Sequence, residues 1–221
     1  MTKSYTVHSV SSPDSDPEKI DWQSATSLQI DQFHPRSAAH RPRASATLLR
    51  TSRSFLLRFD VKDDFAVSRA TQYQDQVSQD SCVEFFVQPP RGGGYFNFEF
   101  NCGGTMLLYY IEDPTLTPTG LAKYTPVPAE AAAGVRVFHS MPSLVVPELT
   151  EPTAWWLTCH IPFEIMEAYT GPVAINRGDR WRANFFKCAA NSLHPHWASW
   201  NAIGEALNFH QPLRFGDLVF E

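Results

Sequence analysis

Six polar residues in three short segments carry groups able to bind or react. They are Glu84 in SCVEFFVQ, Asn97, Glu99 and Asn101 in YFNFEFN, and Arg182 and Asn184 in WRANFFKC. Each segment alternates with a period of two, the pattern of a strand with one buried face. Phe96, Phe98 and Phe100 fall on one parity of YFNFEFN, and Tyr95, Asn97, Glu99 and Asn101 on the other. Val83, Phe85 and Val87 oppose Cys82, Glu84 and Phe86 in the same way, while Arg182, Asn184 and Phe186 share a parity. Asn and Glu are depleted in strands, so a row of them needs a reason. If the three strands share one sheet with the phenylalanine parity inward, their amides, carboxylates and guanidinium converge on one outer face. Such a face offers donors and acceptors in fixed directions, with Arg as a rigid fork. It suits a ligand rich in hydroxyls, because each hydroxyl both donates and accepts. Two bland readings stay open: outer sandwich faces are polar in any case, and a Glu84–Arg182 pair could be a surface ion pair of small value. The two carboxylates Glu84 and Glu99 also meet the minimum for glycoside hydrolysis. A flat strand face, however, rarely desolvates a substrate as catalysis requires.

Aromatic residues narrow the ligand. Trp197 and Trp200 stand in HPHWASWNAIG, among His, Pro, Ser and Asn, a composition that reads as loop. Tyr73 lies in the polar connection before Glu84. Flat rings above a hydrogen-bonding floor would stack on the C–H faces of a sugar ring, so a mono- or oligosaccharide is the expected partner. The four cysteines, Cys82, Cys102, Cys159 and Cys188, form no CxxC pair and read as ordinary buried thiols. Haem ligation would need axial groups such as Met106, Met141 and His139 facing one pocket, but no spacing marks a ligand pair. His194-Pro195-His196 reads as loop packing rather than a metal pair.

The elements that position these residues are mostly strands. Alternation or apolar runs predict them at 44–49, 54–61, 81–88, 95–101, 105–112, 135–139, 155–161, 181–188 and 215–220. Pro162 at a first turn, a shared Ile165–Met166–Tyr169 face and Gly171 as a stop predict one short helix. Residues 114–152 are Pro-rich and read as elaborated loops. The fold class is therefore all-β, an antiparallel β-sandwich with one short helix. Residues 1–19, polar and Pro/Ser-rich, read as a flexible arm, and residues 20–221 as a single domain. A net charge of −5 with no basic block argues against nucleic acid and anionic membranes. No apolar run reaches the length of a membrane span. The first residues lack the apolar core of a signal peptide, so the expected location is cytoplasmic unless a leader has been removed.

Five motifs occur together and in order from about Ala44 onward: DSCVEFF, YFNFEFN with its Gly103-Gly104 turn, Trp156-to-Pro162, RANFFKC, and SWN followed by FHQPLRFGDLVF. In this combination the chain resembles family 9-like carbohydrate-binding modules of the DOMON-like superfamily. The resemblance implies a β-sandwich that binds sugars without cleaving them, of the kind attached to bacterial enzymes that degrade plant polysaccharides such as cellulose and xylan. It implies a sugar held between two rings. Trp200 matches one, and Tyr73 stands where the other, a tryptophan in the family, would come from. It places Glu84, Glu99, Asn101, Arg182 and Asn184 on the polar strands beneath. It also implies structural calcium, for which Asp60, Asp63, Asp64 and Asp80 are the hard-oxygen candidates.

Overall fold

Alternating apolar residues build two facing sheets. The computed structural model describes residues 2–10 and 19–221. Its strands are β1 (Ser4–Ser9), β2 (Leu28–Gln29), β3 (Gln32–Phe33), β4 (Arg43–Arg50), β5 (Ser54–Asp63), β6 (Ala66–Ser68), β7 (Cys82–Gln88) and β8 (Tyr95–Asn101). They continue as β9 (Met106–Thr117), β10 (Gly120–Pro126), β11 (Arg136–His139), β12 (Val145–Leu149), β13 (Thr153–Pro162), β14 (Arg180–Ala189), β15 (His196–Ser199) and β16 (Gly216–Phe220). Helix α1 (Ala129–Ala132) is a single turn, and α2 (Phe163–Thr170) is the helix expected from the sequence. Pro162 precedes α2, and Gly171 closes it at φ +75°, a backbone conformation that favours glycine.

One sheet runs β10-β9-β8-β7-β14-β16, the other β4-β5-β13-β11, and β1 joins them. Residues 4–7 of β1 pair with β16, and His8 and Ser9 pair with β4. The sequence reading placed residues 4–9 in a loose arm. The alternation of Tyr5 and Val7, both buried, instead draws them into the core. The Ser/Pro-rich run at 11–18 lies outside the described residues.

The sandwich interior is built from the expected parity. Phe55, Phe59, Leu157 and Ile161 of one sheet meet Phe85, Phe98, Trp181 and Phe185 of the other. Rings cross the interface edge to face: Phe55 lies 5.8 Å from Phe85 and Phe59 lies 6.4 Å from Phe185. The Pro-rich region holds more regular structure than its composition suggests, namely β10, α1, β11 and β12.

At one end, this interior admits charge. Lys187 and Asp63 both sit on inward parities, are fully buried, and lie 3.6 Å apart. Lys187 Nζ donates to the Cys188 carbonyl at 3.0 Å and to His196 Nε2 at 2.7 Å. Burial, and then the Lys187 ammonium, push the His196 imidazole down to about 3, so it stays neutral and accepts. Its Nδ1 then carries the hydrogen and donates to the His194 carbonyl at 2.9 Å. Burial would raise the Asp63 carboxyl, but the Lys187 charge and a 2.6 Å hydrogen bond to His40 together hold it below the usual carboxylate range. Asp63 therefore stabilises the fold above the free-carboxylate range, and that contribution is lost as pH falls below it. The clasp ties β15 to β14 and fixes the residues that follow His196.

Removing Lys187 leaves the buried Asp63 carboxylate without its ammonium partner. Lys187→Met is expected to destabilise the protein by about 3–5 kcal/mol. Adding Asp63→Asn should recover part of that loss. Urea denaturation of the single and double variants measures both; equal losses would show that the pair is not coupled.

Candidate functional site

The core parity fixes what the other face presents. In the β7–β8 register Glu84 lies directly opposite Glu99, Phe86 opposite Asn97, and Cys82 opposite Asn101. In the β14–β7 register Cys188 lies opposite Cys82 and Phe186 opposite Glu84. All these side chains point away from the sandwich interior, as the alternation requires. They do not face open water. Val77, Leu207, Phe209 and Trp197 pack over them, from the segment before β7 and from the connection between β14 and β16. Glu84 is only 2% exposed and Glu99 7%.

Two carboxylates side by side in such a place dominate the electrostatics. Among the described residues no cation pairs with either. Asn97 Nδ2 donates to Glu99 Oε1 at 2.7 Å, and Asn97 Oδ1 accepts from the Tyr109 amide at 2.8 Å. Burial pushes the Glu99 carboxyl up to about 7, although the Asn97 hydrogen bond opposes it. Burial and then the neighbouring Glu99 charge push Glu84 well above the carboxylate range. At neutral pH the pair thus keeps at least one proton and offers a donor beside acceptors, the mixture a hydroxyl group matches. Nearby, the Tyr95 hydroxyl is hydrogen-bonded to His210 Nδ1 at 2.8 Å, and burial holds this imidazole neutral, down to about 4.

The pair opens onto a cavity of about 240 Å³. Its walls are Ser78, Gln79, Trp197, Asn208, Phe209 and His210, over a floor of Glu84, Phe86, Glu99 and Cys188. Trp197 and Phe209 are half-buried, so each keeps ring surface for a ligand. Phe209 is braced from behind by Phe186, with ring centroids 4.1 Å apart and planes within 15°. A larger cleft of about 670 Å³ lies where β5 and α2 begin, lined by Arg53, Arg136, Glu164 and Glu167. Its charged groups belong to residues still in contact with water.

A family model described as carbohydrate-binding family 9 matches residues 14–220. The chain belongs to this family. Among solved structures it is similar to a candidate carbohydrate-binding protein from Bacteroides uniformis, with 28% identity, 100% of both chains covered and a TM-score of 0.87. It is also similar to a family 9 module from Caldicellulosiruptor kristjanssonii. The complex of that module with glucose has 13% identity, coverage of 99% of this chain and 96% of the other, and a TM-score of 0.65. Its complex with cellotriose has 14% identity, coverage of 99% and 94%, and a TM-score of 0.61. At these last two identities the likeness shows the fold. No curated protein matches the chain.

In this family 9 chain, the residues expected at the site separate into two groups. Glu84, Glu99, Asn97 and Trp197 come together around the cavity. The rest serve the scaffold. Asn101 donates to Ala70 O and Asp80 Oδ2 and accepts from the Thr105 amide, which pins the loop before β7. Asn184 exchanges hydrogen bonds with the backbone of Asn201. Arg182 donates to the carbonyls of Phe215 and Pro212. The Tyr73 hydroxyl donates to Val127 O at 2.7 Å, and its ring packs at the edge of the inter-sheet core.

Trp200 is buried between the sheets against Phe185, with centroids 5.7 Å apart. The composition of HPHWASW predicts loop, yet residues 196–199 form β15, paired with β14. Trp197 and Trp200 are an odd number of residues apart along this extended segment, so they face opposite sides. The four aspartates do not gather. Asp60 pairs with Arg58, Asp63 belongs to the Lys187 clasp, Asp64 is exposed, and Asp80 accepts from the Arg69 and Ala70 amides. Calcium takes six to eight oxygens at one point, and these four supply no such shell.

Phe209 and His210, which open FHQPLRFGDLVF, are not among the expected site residues, because their segment has no periodicity to mark a face. Cys82 and Cys188 are buried thiols, as expected, and both lie on the outer parity beside Glu84.

A carboxyl raised by burial stabilises the fold while protonated, and that stabilisation is lost as pH rises through its folded value. Between about pH 4.5 and 7, wild-type stability should therefore fall more steeply than that of Glu99→Gln, and at about pH 8 the variant should be the more stable. Urea denaturation across this range tests it; identical slopes would contradict the raised carboxyl.

Proposed function

We propose that this protein binds a carbohydrate without cleaving it, seating one sugar unit in the cavity above Glu84 and Glu99. The observation that carries the reading is the buried carboxyl pair, floored by strands and walled by Trp197 and Phe209, in a chain of carbohydrate-binding family 9. A sugar ring has apolar C–H faces and hydroxyl edges. Trp197 and Phe209 suit the faces. The carboxyl pair, Gln79 and Asn208 suit the edges. The cavity, about 240 Å³, is smaller than the roughly 300–1,000 Å³ of pockets for drug-sized ligands, which favours a single unit or a chain terminus. The Caldicellulosiruptor kristjanssonii complexes with glucose and cellotriose support glucose and its β-linked oligomers as the first ligands to try. That choice agrees with a role in recognising plant polysaccharide.

The same carboxyls are poorly placed for hydrolysis. Glycosidase carboxyls flank the scissile bond from two sides. Glu84 and Glu99 instead stand side by side on neighbouring strands, beneath one face of any ligand.

Calorimetry across glucose, xylose, cellobiose and cellotriose should give binding heat for at least one sugar. Trp197→Ala should weaken it at least about tenfold, roughly 1.4 kcal/mol, with the fold intact. Trp200→Ala should act on stability instead, costing about 3–5 kcal/mol. Absence of heat across the panel would overturn the reading.

A further inference from the structure

The floor of the cavity holds a second constellation, which shares Glu84 with the carbohydrate reading and adds two cysteines that reading does not use. Cys82 and Cys188 face each other across β7 and β14, and Glu84 is two residues along β7 on the same face. All three are buried. Cys188 Sγ lies 3.2 Å from Glu84 Oε1, and Cys82 Sγ lies 3.9 Å from the same oxygen. One ligand atom from each residue fits within 4.8 Å of the others. In a tetrahedral zinc site, with Zn–S about 2.3 Å and Zn–O about 2.0 Å, sulfur and oxygen ligands stand about 3.5 Å apart. The two separations straddle that value. We propose that Cys82, Cys188 and Glu84 form a binding site for a thiophilic divalent cation such as Zn²⁺, with the fourth position open toward the cavity and Glu99.

Three observations carry the proposal. The first is the spacing. The second is the electrostatic deficit: two buried carboxyls and two thiols share one small region with no cation beside the carboxyls among the described residues. Thiols are weak donors, so they are poor partners for a buried carboxylate. A divalent ion would satisfy all of them together. The third is access, because Glu84 and Cys188 both line the cavity. Binding displaces the two thiol protons and any proton on Glu84 to solvent, leaving two thiolates and one carboxylate on the metal. The donor set is soft, unlike the oxygen shell that calcium takes. The proposal does not depend on sugar binding.

Cobalt(II) reports such a site directly, because thiolate ligation gives a charge-transfer absorption band. The full-length reduced protein, treated with chelator and titrated with Co²⁺, should show this band saturating at one equivalent, with displacement by Zn²⁺. Cys188→Ser and Cys82→Ser should each diminish it. Glu84→Gln, nearly equal in volume, should weaken Co²⁺ binding at least tenfold while circular dichroism shows the fold intact. Cys159→Ser, on the opposite sheet, should leave it unchanged. No band in the folded wild-type protein, or an undiminished band in both Cys82→Ser and Cys188→Ser, would overturn the site. So would a Cys82–Cys188 disulfide found by mass spectrometry as the protein's resting state under reducing conditions. Calorimetric failure with every sugar, beside a cobalt band that behaves as described, would count against the carbohydrate reading and leave the metal site standing.

Discussion

Two carboxyl groups, Glu84 and Glu99, are held opposite each other on adjacent strands, almost wholly out of water and, among the described residues, without a partner cation. This arrangement is costly, because like charges in a low-dielectric setting repel and each carboxylate loses hydration. It persists because the phenylalanines leave no alternative. Phe85 and Phe98 pair across the same two strands on the inner face. A slip of one residue in either strand would turn that aromatic layer to the outer face and drive the polar one between the sheets. The packing of the core thus fixes the chemistry of the outer face. The resulting stress is relieved by keeping a proton on the pair, by the Asn97 amide, and, on the two readings offered for this face, by a hydroxyl-rich ligand or a cation.

The surrounding scaffold keeps that face enclosed. Asn101 and Asp80 pin the loop before β7, and Asn184 pins the chain at Asn201. The Lys187–Asp63–His196 clasp anchors β15 from inside the sandwich, and β15 in turn sets Trp197 at the cavity wall. Buried polar groups on both sides of β14 therefore act on one structure. Lys187 faces inward and holds the strand pair together, while Cys188 faces outward and meets Glu84.

Much of this was legible in the sequence. Alternation located nearly all the long strands, and parity alone put Asn97, Glu99 and Glu84 on one outer face. What parity could not show was which polar residues were already engaged. The partners of Asn101, Asn184 and Arg182 are backbone groups of distant loops, and nothing local marks them. Two misreadings had readable causes. HWASW looked like loop because His and Pro surround it, yet as an extended segment its tryptophans had to part company. The first strand was hidden in a polar arm, although Tyr5 and Val7 already alternate. Phe209 and His210 lie in a segment without period, and only the folded chain brings them over the floor.

The central claim is that Glu84 and Glu99 form a coupled, buried pair that a sugar contacts. NMR titration of their side-chain carboxyl carbons, with and without glucose, tests it most directly. The account predicts one carboxyl that keeps its proton up to about pH 7, with a midpoint that moves when glucose is added. Two independent titrations in the ordinary range near about 4, both indifferent to the sugar, would contradict it.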